Sequence, residues 1–286
     1  MLCQATVTDR SARTASPADG RTLSWAEWGD PGGAPVLSLH GTPGCRLLSP
    51  RKVTHGLNSL LASLGIRLVT YDRPGYGGSD RHACRRVVDC VDDVVAVADA
   101  AGVATFAVEG ASSGAHHALA VAAARPDRVT RVAAVAPMAP HDRLGHDAWS
   151  RGQADAVRDY VAACLAGEAS MADACAAEDA DMRASAAADD PACAEVFEQT
   201  RSGLWGWIDD EVAAFQPWGF DPASVRVAVA IWHDPADRVL PPQHAEWLAR
   251  VIPGATRVTT TALGHGSTDL PEPDWRRLYS WLAGLA

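Results

Sequence analysis

The chain has 286 residues, 48% of them hydrophobic and 21% charged, with a formal net charge of −10. That length suits one large domain, or a core domain carrying a substantial insertion. The acidic balance argues against a nucleic-acid partner, which needs a basic stripe, and no apolar run approaches the ~18 residues a membrane span requires.

The opening "MLCQ" lacks a basic segment followed by an apolar one, so no signal peptide is read and a cytoplasmic location is expected. The cysteines number seven, with no CxxC pair, which fits reduced thiols better than a disulfide framework or a zinc site. The sequence carries no signal of oligomeric state.

Along the chain, short apolar runs alternate with segments of helical period, the mark of a mostly parallel sheet. After a polar leader, "TLSWAEW" (22–28) reads as a strand with Leu23, Trp25 and Trp28 as its inward candidates. "APVLSLHG" (34–41) and "GIRLVTYDRPG" (65–75) read as buried strands running into glycine- and proline-rich loops. "RRVVDCVDDVVAVADAAG" (85–102) has helical spacing with Gly102 as its C-terminal stop. A strand at 105–110, a small-residue helix at 113–126 and a strand at 128–137 follow.

The pattern then changes. Residues 141–217 hold no convincing strand, and 168–198 carries nine acidic residues against one basic; the acidic run 173–198 reads as a solvated helix face, with substrate repulsion as the alternative. Strand logic resumes at 225–234, then a helix at 242–252, a strand at 255–262 and a helix at 272–284. The expected division is an α/β core at 1–140 and 218–286, interrupted by a helical insertion at 141–217.

"GASSGAHH" (110–117) fits G-x-S-x-G in one register, with Ser112 at its centre, and it sits between a buried strand and a helix. A tight turn there lifts the hydroxyl clear of the sheet and needs the small neighbours Gly110, Ala111 and Gly114. A serine needs a base, and the base needs an orienting acid. "IWHDPADRVLP" (231–241) presents Asp237 beyond a strand, and "ALGHGS" (262–267) presents His265 in a glycine-flanked loop. Asp234 is the rival acid, although its place before Pro235 suits a turn former.

"HGTPG" (40–44) follows the first buried core strand. Its Thr42 N–H, with that of Ser113, is a candidate pair of oxyanion donors, and His40 reads as an anchor for the loop. His116 and His117 read as poor bases, with a pocket-lining role open. Arg73 and Asp80 read as loop pins. Glu109 reads as a strand-end carboxylate tied to a neighbouring loop. Trp149, Trp205, Trp207 and Trp218 are candidates for a pocket or for core packing.

Taken together, "HGTPG", "YDRPGYGGSD", "GASSGAHHALA", "HDPADRVLP" and "GHGS" resemble, in order and spacing, the motifs of the α/β-hydrolase fold family. The likeness is to its capped bacterial serine hydrolases with an HGTPG loop, and "GWIDD" with "PWGFD" resembles the segment that closes their cap. The resemblance implies a mostly parallel, doubly wound sheet with an inserted helical cap. It also implies a Ser112–His265–Asp237 triad, an oxyanion hole from Thr42 and Ser113, and a small-molecule acyl substrate. No metal or organic cofactor is implied, and an aspartate nucleophile is excluded by Ser112. Two departures stand out: Ser113 where relatives have glycine, and Ala115-His116-His117 where they read Gly-Pro-His or Gly-Pro-Tyr. The expected reaction is hydrolysis of a carboxylic ester, lactone or related acyl bond. C–C bond hydrolysis, aminopeptidase-type amide hydrolysis, acyl transfer and a low-turnover binding module stay open.

Overall fold

The computed structural model describes residues 13–48, 52, 56–145, 154–185, 194–261, 264–265 and 270–285. Its strands are β1 (Arg13–Ala15), β2 (Leu23–Gly29), β3 (Ala34–Leu39), β4 (Ile66–Tyr71), β5 (Phe106–Ala111), β6 (Val129–Val135), β7 (Ala228–His233) and β8 (Thr256–Thr259). The helices are α1 (Leu57–Ser63), α2 (Cys90–Ala100), α3 (Ser113–Ala124), α4 (His141–Leu144), α5 (Ala154–Ala166), α6 (Glu168–Ser185), α7 (Ala194–Gln199), α8 (Trp205–Phe215), α9 (Pro242–Val251) and α10 (Glu272–Leu282).

All eight strands join one sheet in the order β1-β2-β4-β3-β5-β6-β7-β8. The pairings of β2 with β1 and β4 are antiparallel, and every pairing from β4 to β8 is parallel. Parallel strands need helical crossovers, which cover both sheet faces, so the central strands must be apolar on both sides. Accordingly every residue of β5 is buried, Glu109 included.

One face packs against α2, α3 and the helices between β6 and β7, through Val94, Val97, Leu119, Ile208 and Trp218. The other packs against α1 and α10, where Leu61, Trp275, Leu278 and Tyr279 cover Val36, Leu68 and Trp232. Each such fully buried side chain contributes about 1.5–3 kcal/mol of transfer free energy.

Two expectations need correction. The polar leader contains the short edge strand β1, which escapes a hydrophobic reading because its burial pattern is exposed, exposed, buried. Trp28 does not share the face of Leu23 and Trp25. It packs on the opposite cluster, because side chains alternate along a strand and both faces are covered here.

The sheet order places the site. From β3 the chain crosses to β4 on one side, and β5 then inserts on the other side of β3. The carboxyl ends of β3 and β5 therefore open onto a crevice, the place where open α/β sheets bind ligands. The residues that follow these two strands are His40–Gly44 and Ser112.

Candidate active site

Ser112 lies between β5 and α3 with φ 53° and ψ −121°, a left-handed conformation that a non-glycine residue adopts only under strain. The neighbouring glycines are steric necessities. A Cβ on Gly110 would collide with the carbonyl oxygen of Gly114, and one on Gly114 would collide with that of Leu39. The turn is thus wedged between α3 and the end of β3, and the Ser112 hydroxyl projects above the sheet.

The Ser112 Oγ lies 3.0 Å from His265 Nε2, and His265 Nδ1 lies 2.9 Å from Asp237 Oδ2. Asp237 is fixed by its own turn, its Oδ1 accepting from the N–H groups of Val239 (2.8 Å) and Leu240 (3.0 Å). The rival Asp234 does different work. Its carboxylate accepts from Ala236 N–H at 2.8 Å and from Gly264 N–H at 3.3 Å, bracing the histidine loop rather than the imidazole. The carboxylate facing Nδ1 favours the tautomer with its proton on Nδ1, leaving Nε2 free to accept from the serine. Gly266 and Ser267 at the end of the histidine loop lie outside the described residues, as does Trp149.

His40, His116 and His117 are held neutral. Burial, reinforced by the Arg73 charge, drives His40 well below the usual histidine range. Its Nε2 accepts from the Arg73 backbone N–H at 3.1 Å, so Nδ1 donates to the Gly41 carbonyl at 2.7 Å and braces the loop. Burial and the Arg73 charge also push His117 down to about 3, and its Nδ1 donates to the Ser113 carbonyl at 2.8 Å. His116 is fully buried and its ring lies tilted by 36° against Trp218, with centroids 4.9 Å apart.

A buried ion network lies beneath the loop of Thr42. Arg73 pairs with Asp210, and Asp210 also accepts from Tyr76 Oη (2.8 Å), Thr42 Oγ1 (2.9 Å) and Arg85 Nη2 (2.7 Å). Asp209 takes a fork of two 2.9 Å bonds from Arg81 and one of 3.1 Å from Arg85. Burial opposes the charge on Asp210, but the guanidinium groups of Arg73 and Arg85 outweigh it and hold the carboxyl well below its ordinary range.

Arg73 Nη2 donates to Thr42 Oγ1 (2.9 Å) and Ser113 Oγ (3.1 Å). Since the single Thr42 hydroxyl proton goes to the Asp210 carboxylate, the hydroxyl of Ser113 donates to Thr42 Oγ1. Ser113 therefore ties the nucleophile turn to the Thr42 loop. Asp210 itself was missed in sequence: an aspartate of "GWIDD" carries no local sign that its partner lies 137 residues earlier.

Two cavities meet at Ser112. The smaller, about 190 Å³, runs along Gly41–Cys45 and includes Lys52, Glu109 and Glu195. Ser38 Oγ donates to Glu109, so that carboxylate is tied to the adjacent strand β3 rather than to a loop. The larger, about 600 Å³, lies toward α5, α6 and α8 and is lined by Met138, Tyr160, Trp207, Glu211, Phe215 and Leu240 among others. The acidic run is thus only partly a solvated face: Glu178 lines the larger cavity and Glu195 the smaller. Trp207 lines the larger cavity, Trp218 packs against His116, and Trp205 is exposed. Among the described residues no helix is long and apolar enough to cross a membrane.

A family model described as the alpha/beta hydrolase fold matches residues 34–267. The proline iminopeptidase of Arabidopsis thaliana is 32% identical over 115 residues, 39% of this chain and 29% of that protein. That of Neisseria gonorrhoeae is 34% identical over 110 residues, 37% of this chain and 34% of that protein. The chain thus matches about a third of the length of these curated relatives. Among solved structures, a hydrolase from Pseudomonas aeruginosa PA01 superposes with a TM-score of 0.66 at 18% identity, covering 97% of this chain and 99% of that one. The enol-lactonase from Burkholderia xenovorans LB400 superposes with a TM-score of 0.62 at 17% identity, covering 96% and 98%. At these identities the structural likeness is one of fold, while the family model extends from β3 past His265. The chain belongs to the alpha/beta hydrolase fold family.

Proposed function

We propose that the protein is a serine hydrolase of carboxylic esters, lactones or related acyl bonds in small molecules. The observation that carries this is the continuous hydrogen-bonded line from Ser112 Oγ through His265 to Asp237, at 3.0 and 2.9 Å. Ser112 attacks the acyl carbon while His265 Nε2 takes its proton, and Asp237 stabilises the imidazolium. The oxyanion is held by the backbone N–H groups of Thr42 and Ser113, with the positive end of α3 behind them. His265 then returns the proton to the leaving group, and water repeats the steps on the acyl-enzyme.

In this reading the helices inserted between β6 and β7 form a cap, corresponding to 141–217, that walls the larger cavity. The chain then groups with the capped, HGTPG-loop hydrolases and works in the cytoplasm. A second reading, aminopeptidase-type amide hydrolysis by the same residues, is favoured by the iminopeptidase relatives. Both are tested by labelling with a fluorophosphonate probe and assaying p-nitrophenyl esters beside proline p-nitroanilide. Labelling that persists in Ser112→Ala sinks the assignment of the nucleophile. Turnover of the anilide but not the esters selects the second reading.

A further inference from the structure

The larger cavity holds a carboxylate that the proposed reaction does not use. Glu211 is on α8, one turn beyond Trp207, and both line the cavity together with Ser112 and His265. Its neighbours are neutral donors: the Tyr160 hydroxyl from α5 and the Trp207 indole from its own helix. Among the described residues Glu211 forms no ion pair, in contrast to the adjacent Asp209 and Asp210, each held by arginines. Glu178, from α6, adds a second negative charge to the same wall. Burial, opposed only in part by the two donors, brings Glu211 up to about 7.

A second side chain in the same cavity lacks a partner. His116 is fully buried and lines the cavity beside Ser113, yet among the described residues neither ring nitrogen has a hydrogen-bond partner. A buried polar atom left unsatisfied is costly, so such atoms point to a group that arrives with a ligand. Burial and the His117 and Arg73 environment keep the imidazole neutral, so one of its nitrogens is an acceptor.

Carboxylate and neutral imidazole together select a ligand rich in N–H donors. Arg238, the cationic side chain of the lining, is exposed and does not pair with Glu211. We infer that the larger cavity is a cation subsite in which Glu211, assisted by His116, binds an alkylammonium group carried by the substrate. This deepens the reading of Ser112 as the nucleophile, since it places a positively charged substrate arm beside that serine. It also separates the two cavities by chemistry, the smaller one receiving the remainder of the substrate.

The groups facing Glu211 are Tyr160 on α5, Glu178 on α6 and Asp210 on α8, with His116, His265 and Arg238 elsewhere in the lining. Of these, Tyr160 stays protonated because burial raises it further, and Asp210 stays ionised. The sign of the pH dependence follows. Ammonium binding strengthens as pH rises through about 7 and Glu211 ionises, and weakens below it.

The test is calorimetric titration of the Ser112→Ala protein with n-hexylammonium and with its neutral isostere 1-hexanol, so that it does not depend on turnover. At about pH 9 the ammonium is expected to bind about tenfold more tightly than the alcohol, with the gap closing as pH falls. Adding Glu211→Gln, which keeps the shape and removes the charge, should erase the gap. Adding His116→Phe should narrow the gap by less than the glutamate change. Tyr160→Phe removes a donor that favours the carboxylate, so it should move the pH profile upward, and it carries the test if the glutamine variant does not fold. Equal binding of the two probes, or a gap that survives Glu211→Gln or vanishes only with Glu178→Gln, overturns the assignment. Failure of fluorophosphonate labelling would overturn the nucleophile while leaving this titration intact.

Discussion

Two polar clusters meet within one turn of Ser112, and they are built on opposite principles. The line from Ser112 to Asp237 is sparse: three side chains from three separate loops, joined by single hydrogen bonds of 3.0 and 2.9 Å. The Arg73–Asp210 network is over-determined, with Asp210 accepting from Arg73, Arg85, Tyr76 and Thr42 at once. A group that must pass a proton needs few, directional partners, whereas buried charges need all their partners satisfied. The comparison teaches that the first cluster is arranged to react and the second to hold the loop beside it. It breaks if substitutions in the two clusters have the same consequences.

The largest effect expected is on rate. Ser112→Ala should lower kcat on p-nitrophenyl acetate by about a million-fold while leaving the thermal midpoint within a few degrees. Asp237→Asn should cost about ten-thousand-fold in kcat by leaving His265 in the wrong tautomer. Asp234→Asn, by contrast, weakens the bracing of Gly264 and should cost far less. If Asp234→Asn were the more damaging of the two, the assignment of the orienting acid would be reversed.

Next comes stability. Asp210→Asn strips Arg73 of its carboxylate and leaves Arg85 with Asp209 alone, and should destabilise the fold by about 3–5 kcal/mol, read by denaturant unfolding. Its pH signature follows from sign. The folded-state value of Asp210 lies well below 3.8, so its contribution is fully present at neutral pH. That contribution is lost only as pH falls below the ordinary carboxylate value toward the folded one. The variant should therefore lose the acid-dependent part of the wild-type stability curve below about pH 4. An unchanged acid limb would mean that Asp210 is not the charged centre of the network.

How far these clusters can be read in sequence depends on where their information lies. Ser112, Asp237 and His265 sit in turns that follow buried strands, and each turn has a local signature of glycines, prolines or small residues. The strand-and-helix alternation that positions them is likewise local, which is why β3 to β8 fall close to their expected places. The network has no such local pattern. Arg73 reads as a loop pin, but the identity of its partner emerges only when α8 packs on the loop after β4. The same holds for Glu211 and His116, whose significance lies in which neighbours they lack. Periodicity marks His116 as a residue on a buried helix and says nothing of the cavity it reaches.

The smallest effect sharpens the boundary between the clusters, because Ser113 belongs to both. Its backbone N–H faces the reacting centre in the proposed mechanism, while its hydroxyl donates to Thr42 Oγ1 and accepts from Arg73. Ser113→Gly keeps the N–H and removes two hydrogen bonds, one to Thr42 Oγ1 and one from Arg73 Nη2. Thr42 retains Arg73 and Asp210 as partners, so the loop should stay in place. The expected loss is about 1 kcal/mol of stability, because Arg73 keeps its bonds to Asp210 and to the carbonyls of His40 and Gly41. The rate on p-nitrophenyl acetate should change by less than about tenfold, since the hydroxyl does not touch the reacting atoms. A rate loss approaching that of Asp237→Asn would place the Ser113 hydroxyl in the reactive cluster and erase the division drawn between the two.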